Sequence, residues 1–492
     1  MCRWTNTAVA KEPEFGFFVV SAAKSFSAIK TFPLWLTAGL SFLGYLLLAV
    51  WFPLRPWFNV YPLADIRDFT PSPGEGLAYG LLLLALFGLY ALAYQRIRHM
   101  AGPPRLVVIL LTAVLFCLPL LQTFPVNATD IYRYVIRGRV ASVYGENPYE
   151  SPPNAFPDDP FLPLAGEWVG ETSPYGPVWE LLAATVTGLI RGNLLAGLLA
   201  FKLVGLAAFI ASGALIWFIL PTSPPQRRLG YTLLWAWNPA LLLTFVVDAH
   251  NDALMIFWLL LGLWLMRRYS VTLGFLVMLL APLTKPIALL PLPLFFIVGW
   301  RDFTVLKERL RFLLVTAVGG LILLFLAFLP FGSPLELAAR LLREATNNPG
   351  FSLSTLILLL FVRLNLPPPL EQMALLGSLL FGGLALWLAW RTWHGRSPMR
   401  GAADIFAGYL AQALAFRLWY ATWPFPWLLL DRTDDGKDGR LSYRLKVGLW
   451  FLVTVQLSVL IYGHGRVFLL GGDHFLAHLI GVPFTFGLPF LL

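Results

Sequence analysis

The chain has 492 residues, 58% hydrophobic and 13% charged, against roughly 25% charged in an average soluble domain. Surface-to-volume scaling leaves a soluble fold of this length with far more surface than so few charges can cover, so the composition excludes a soluble enzyme and points to lipid as the solvent. The net charge of +10 is not a nucleic-acid footprint. Lys and Arg sit in short clusters between apolar runs, as the positive-inside rule describes, and no nucleic-acid partner is expected.

Residues 1–32 are expected to form a cytoplasmic N-terminal segment, and 33–492 a single polytopic transmembrane domain. No signal-peptide cleavage pattern precedes residue 33, so the first span is expected to act as its own insertion signal. Apolar runs able to cross a ~30 Å hydrocarbon core recur at 33–53, 76–95, 105–124, 194–220, 229–247, 252–266, 311–330, 373–391, 446–462 and 474–491. Shorter candidates are 270–284 and 286–299, split around Lys285-Pro286, and the pair 403–416 and 418–431. The expected fold class is therefore an all-α integral membrane protein of about 12–14 helices. Its two cysteines, Cys2 and Cys117, build neither a disulfide framework nor a zinc site.

Orientation follows from the basic loops. Lys24 and Lys30, then Arg96, Arg98 and Arg105, Arg227-Arg228, Arg267-Arg268, 301–311, 391–400 and 437–446 all fall on one side if the N-terminus is cytoplasmic. The loop 125–193, the turn 247–251, the loop 331–372 and the turn at Arg417 then lie outside. Residues 177–191 and 353–364 are apolar but short. Counting either as a span would invert the basic loops that follow, so both read as re-entrant or interfacial helices.

The outer loop begins Asp130-Ile-Tyr-Arg133-Tyr134-Val-Ile-Arg137-Gly-Arg139. In a helix Asp130, Arg133, Tyr134 and Arg137 share one face. A carboxylate beside guanidinium groups suits a base that takes a hydroxyl proton next to a bound phosphate; a surface helix held by an Asp130–Arg133 pair is the alternative. Asn147-Pro148-Tyr149 and Ser173-Pro-Tyr175-Gly-Pro177 read locally as turns. Asp248-Ala-His250-Asn251-Asp252 places ionisable groups between two spans, a costly position that marks a site, although a polar turn at the outer surface also accounts for it. Nothing nearby supplies the remaining ligands of a metal. Lys285 stands in an apolar hairpin, able either to serve a site or to snorkel. Near the C-terminal end, Arg417, Trp419, Tyr420, Trp423 and Trp427 form either an interfacial aromatic belt or a sugar platform.

In order and content, these elements resemble the C-type polytopic glycosyltransferases (GT-C), in the bacterial branch that takes mannose or another hexose from a polyprenyl-phosphate carrier. The resemblance covers roughly 105–430 and rests on the Asp130-to-Arg139 run, Asn147-Pro-Tyr149, Ser173-Pro-Tyr175, Asn238-Pro239, His250-Asn251-Asp252, Thr284-Lys285-Pro286 and Trp419-Tyr420. Tyr175-Gly176-Pro177 departs from the family's Tyr-Pro-Pro, and the basic loops require an extra pair of spans before the Asp130 loop, which many relatives place directly after the first span.

The resemblance implies transfer on the extracytoplasmic face of the cell membrane, with inversion and with Asp130 as general base. Arg133, Arg137, Arg139, Lys285 and Arg417 would neutralise the departing phosphate. Tyr134, Asn147, Tyr149, Tyr175, His250, Asn251 and Asp252 would bind or orient substrate, and Trp419 and Tyr420 would stack on sugar or lipid. The implied partners are the bilayer, a polyprenyl-phosphate sugar donor and an acceptor lipid, glycan or protein; no cofactor or metal is expected. Two rivals remain open: a lipid-linked glycan polymerase or ligase, and a transporter or flippase of lipid-linked sugar. The second would favour repeated halves, and the sequence has none.

Overall fold

The computed structural model describes residues 33–102, 104–222, 224–346, 350–432 and 441–492. The expected cytoplasmic segment 1–32, with Cys2, Lys24 and Lys30, lies outside those residues, as does Lys437. Among the described residues there is no strand, and the architecture is all-helical. Six helices among the described residues are long and apolar enough to cross a membrane: Leu34–Trp51, Pro73–Arg98, Leu194–Ile219, Leu306–Phe328, Leu370–Trp393 and Tyr443–Leu469. The other expected spans are present as shorter or broken helices.

Local sequence explains the breaks. The expected span 229–247 divides into Pro225–Ala236 and Pro239–Val247, bent by 41°. Pro239 cannot donate a helical hydrogen bond, and Asn238 caps the new start by accepting from the Ala240 amide. Pro286 and Pro291 reduce the expected span 286–299 to a 3-10 turn followed by Leu292–Asp302. Likewise 418–431 becomes a 3-10 turn, Leu418–Thr422, and Phe425–Leu430, separated at Pro424. The two short helices expected at 177–191 and 353–364 are Pro177–Ile190 and Leu353–Arg363, of 14 and 11 residues. At 1.5 Å per residue they fall well short of the ~30 Å core.

Burial sorts the helices by solvent. In the apolar window of Leu194–Ile219, 44% of residues are buried, against 17% in Leu306–Phe328 and 11% in Leu370–Trp393. The last two therefore give most of their surface to lipid. Leu194–Ile219 instead packs against Asp252–Arg268, Pro225–Ala236 and Leu106–Leu121.

Side chains of the basic loops tie neighbouring segments together. Arg228 donates to the Trp217 carbonyl (2.7 Å) and Arg301 to the Thr392 carbonyl (2.9 Å), while Arg396 and Arg444 share the carboxylate of Asp404. The loop 125–193 is likewise tied to distant segments. Arg340 pairs with Glu171 at 3.0 Å, and the Asn147 amide donates to the Phe331 carbonyl at 2.7 Å. One isolated bridge, Pro53 with Thr123, joins the end of the first helix to the run that leads into Asp130.

Candidate active site

Asp130 opens the helix Asp130–Ser142, where the positive end of the helix dipole favours a carboxylate. This is no surface helix: Asp130, Tyr134, Arg137 and Arg139 are all buried, and it packs on Pro177–Ile190. Gly138 permits that crossing, since a Cβ there would lie 2.5 Å from the Ala183 carbonyl oxygen.

Around Asp130 the structure assembles an alternating row of charges. The Arg133 Nη1 donates to Asp130 Oδ1 at 2.6 Å, and the Tyr175 hydroxyl donates to the same oxygen at 3.3 Å. His250 Nδ1 lies 3.7 Å from Asp130 Oδ2 and 3.9 Å from Asp252 Oδ2, so the imidazole stands between the two carboxylates. Beyond it, Lys285 Nζ donates to Asp252 Oδ2 at 2.7 Å, and the Trp423 indole N–H donates to Asp252 Oδ1. The row reads Arg133, Asp130, His250, Asp252, Lys285. Trp419 stacks on His250 with ring centres 4.2 Å apart. Tyr420 and Trp423 stack on each other at 4.1 Å, and each ring centre lies 5.7 Å from Lys285 Nζ.

Each side chain reaches the row through an unusual local backbone. The π-helical turn Leu243–Val247 runs into Asp248, and Ala249 has φ 56°, a region that a residue with a Cβ seldom occupies. That kink turns His250 back toward Asp130. Lys285 is extended, at φ −145° and ψ 116°, because the following Pro286 disfavours helical geometry. Gly176 brings the Tyr175 turn against this break. Its amide donates to the Thr284 carbonyl at 3.0 Å, and a Cβ would lie 2.2 Å from the Leu283 carbonyl oxygen. Proline at 176 would lose that bond, so the departure from Tyr-Pro-Pro has a local physical reason.

Electrostatics separates the charged groups from the neutral ones. Burial opposes ionisation of Asp130, but Arg133, His250, Lys285 and Arg137 together hold its carboxyl below the ordinary value. Burial pushes the His250 imidazole down to about 4, against the pull of Asp130 and Asp252. Near neutral pH the row therefore presents an ionised carboxylate beside a neutral imidazole. Glu180 is buried behind it, accepts from the Ser173 hydroxyl, and is raised by burial to about 7.

The structure brings together Asp130, Arg133, Tyr175, His250, Asp252, Lys285, Trp419 and Tyr420. Tyr134 sits beneath them: its hydroxyl accepts from the Asn251 amide at 3.3 Å, and its ring meets Trp179 edge-on at 4.7 Å. The guanidinium of Arg137 lies 5.7 Å from the Tyr175 ring. Other expected residues are engaged elsewhere. Arg139 pairs with Asp159 at 2.8 Å. Asn147 accepts from the Tyr149 amide at 3.1 Å, and Tyr149 donates to the Tyr175 carbonyl at 3.0 Å while packing on Phe328 and Phe331. Arg417 stands beside Gly350, whose Cβ would lie 3.0 Å from Arg417 Nη1.

Two residues behind the row escaped the sequence reading. Lys202 is a lone lysine within an apolar span, which was itself a signal. Glu180 opens a short apolar helix, where nothing in the pattern distinguishes it.

Residues 62–302 match the profile of the alpha-(1->6)-mannopyranosyltransferase N-terminal domain. Over that segment the chain is similar to this family. The matched segment includes every residue of the charge row and stops before Trp419. Similar proteins include alpha-(1->6)-mannopyranosyltransferase A of Mycobacterium tuberculosis, 30% identical over 236 residues, covering 47% of this chain and 42% of that one. The protein of the same name from Corynebacterium glutamicum is 24% identical over 187 residues, covering 38% and 37%. Alpha-(1->6)-mannopyranosyltransferase B of Corynebacterium glutamicum is 29% identical over 157 residues, covering 30% and 25%. The chain thus spans less than half the length of these relatives. No solved structure matches it.

Proposed function

We propose that this protein is an inverting membrane glycosyltransferase that moves a hexose, mannose by its relatives' names, from a polyprenyl-phosphate carrier to an extracytoplasmic acceptor hydroxyl. The observation that carries the reading is the buried Asp130, bound through Oδ1 to Arg133 and Tyr175 while Oδ2 faces His250. In the proposed step Asp130 Oδ2 accepts the hydroxyl proton. The acceptor oxygen bonds to the anomeric carbon from the face opposite the phosphate. The carbon–phosphate oxygen bond breaks, and its electron pair leaves on the polyprenyl phosphate.

Arg133 and Lys285 flank the carboxylates and are the cations nearest the reacting centre; an anionic donor beside them would draw part of their field from Asp130 and strengthen it as a base. Arg137 and Arg417 stand farther from the row and would extend the positive field toward the departing phosphate. Trp419 and Tyr420 offer faces for a sugar ring, and neutral His250 with Asn251 and Asp252 would orient hydroxyl groups. Asn147, Tyr149 and Arg139 would hold the outer loop that covers the site, and Tyr134 would seat the 250–252 turn.

The Lys and Arg of 96–105, 227–228, 267–268, 301–311 and 391–400, which fall in alternate loops of the sequence, support a cytoplasmic N-terminus and an extracytoplasmic site. We treat 33–492 as one domain because Asp130 and Trp419 complete a single site. The acceptor is a lipid, glycan or protein hydroxyl.

The test uses membranes bearing wild type or Asp130→Asn, supplied with labelled polyprenyl-phosphate mannose and lipids extracted from the source organism. A labelled product made by wild type and lost in the folded variant is expected. Equal product from both would remove Asp130 from the chemistry, and no product from any polyprenyl-phosphate hexose would sink the transferase reading.

A further inference from the structure

Lys202 lies within the Leu194–Ile219 helix and is fully buried. Its ammonium donates to three backbone carbonyls: Thr123 (2.9 Å), Val246 (3.3 Å) and Val247. Three donors meet three acceptors, so the buried cation is fully hydrogen-bonded. Val246 and Val247 end the π-helical turn, where carbonyls lack partners within the helix and a cation is favoured. Thr123 belongs to the run that enters Asp130. One turn along the same helix, Gly205 lets the backbone approach: a Cβ there would lie 2.2 Å from the Phe245 carbonyl oxygen.

A second contact joins the same two segments. The buried Asp248 carboxylate accepts from the Asn127 amide at 3.4 Å, and Asn127 Nδ2 donates to Gln456 Oε1 at 3.3 Å. Asn127 stands three residues before Asp130, and Asp248 two before His250. We propose that Lys202 is a positioning residue whose ammonium clamps 123–127 to 246–248 and so fixes the spacing of Asp130 and His250. Its effect on catalysis rests on the function proposed above; the clamp itself does not.

Hydrogen exchange read by mass spectrometry tests the clamp on the full chain in detergent or nanodiscs. Lys202→Met should raise exchange about tenfold or more in peptides covering 123–130 and 244–252, leaving distant helices unchanged. Lys202→Gln, which keeps two donors on a shorter stem, should raise both segments less. Gly205→Ala, which strains only the turn, should raise 244–252 and spare 123–130. In the transfer assay Lys202→Met should lower kcat about 100-fold with KM held within about threefold, because displacement by 1 Å costs roughly that much. Unchanged exchange in both segments, a uniform rise along the chain, or unfolding of both Lys202 variants would overturn the clamp. A wild type that transfers no sugar would remove the proposed function, while exchange would still decide Lys202.

Discussion

The indole of Trp419 lies face to face with the imidazole of His250, ring centres 4.2 Å apart and planes 22° from parallel. The two residues come from opposite sides of the boundary of the matched segment, which ends at residue 302. The C-terminal part of the chain thus supplies one wall of the charge row.

Removing that wall should impair the site without unfolding it. Trp419→Ala is expected to lower the transfer rate about 10- to 100-fold, since misplacing a positioned group costs in that range. Trp419→Phe keeps a stacking face and should stay within about fivefold of wild type. Steady-state transfer on the two purified variants checks this.

Lys285 and Asp252 form a buried pair. Lys285→Met leaves the Asp252 carboxylate without its cation, at a cost of about 3–5 kcal/mol, read as a lower melting temperature. Lys285→Met with Asp252→Asn removes the stranded charge and should recover most of that stability. It should not recover transfer, because the cation next to the donor is still missing.

Two buried groups push stability in opposite directions with pH. His250 titrates at about 4 when folded, below its ordinary 6.5. Its contribution is complete above 6.5 and is lost as pH falls through 4. Glu180 titrates at about 7, above its ordinary 4.5, so its contribution is complete below 4.5 and is lost as pH rises through 7. Glu180→Gln should make melting temperature climb more steeply between pH 5 and 7, and His250→Gln should make it fall over the same interval. Each effect is on the order of 3 kcal/mol at most. Melting curves at pH 5, 6 and 7 decide both signs.

Gly176→Ala places a methyl group where the Leu283 carbonyl already sits. The segment bearing Lys285 must move, with an expected loss of about 1–3 kcal/mol and at least a tenfold fall in transfer rate. An unaffected rate would show that Lys285 need not hold its observed place.

Orientation can be read by cysteine labelling in intact cells, with the parent chain as blank. Glu150→Cys, exposed on the outer loop, should react with an impermeant maleimide from outside. Lys307→Cys, exposed in the first turn of Leu306–Phe328, should react only after permeabilisation. The reverse pattern would place the site in the cytoplasm.

Much of this site was legible in the sequence because helical spacing and charge at membrane depth are local signals. Asp130, Arg133 and Tyr134 share a face by spacing alone, and His250 with Asp252 stand out between two apolar runs. The pairings were not legible. Lys285 meets Asp252 across 33 residues and Trp423 reaches it across 171, and no periodicity encodes such contacts. Arg139 resembled its neighbours in type but faces Asp159. Lys202 stood out as a lone lysine in an apolar span, but its partners did not, because they are backbone carbonyls that carry no side-chain signature. The bend at Asn238-Pro239 was written in a proline, yet hydropathy runs smoothly through it and suggests one straight span.

The convergence of distant turns on Asp130 also bears on the order in which the chain is made. Trp419 follows Asp130 by 289 residues, an interval of roughly 15–60 s at ordinary elongation rates. During that interval His250 has no indole to lie against, and Asp252 waits first for Lys285 and then for Trp423. A nascent chain stopped before residue 285 would leave the Asp252 carboxylate without either of these partners, while Asp130 already has Arg133 and Tyr175.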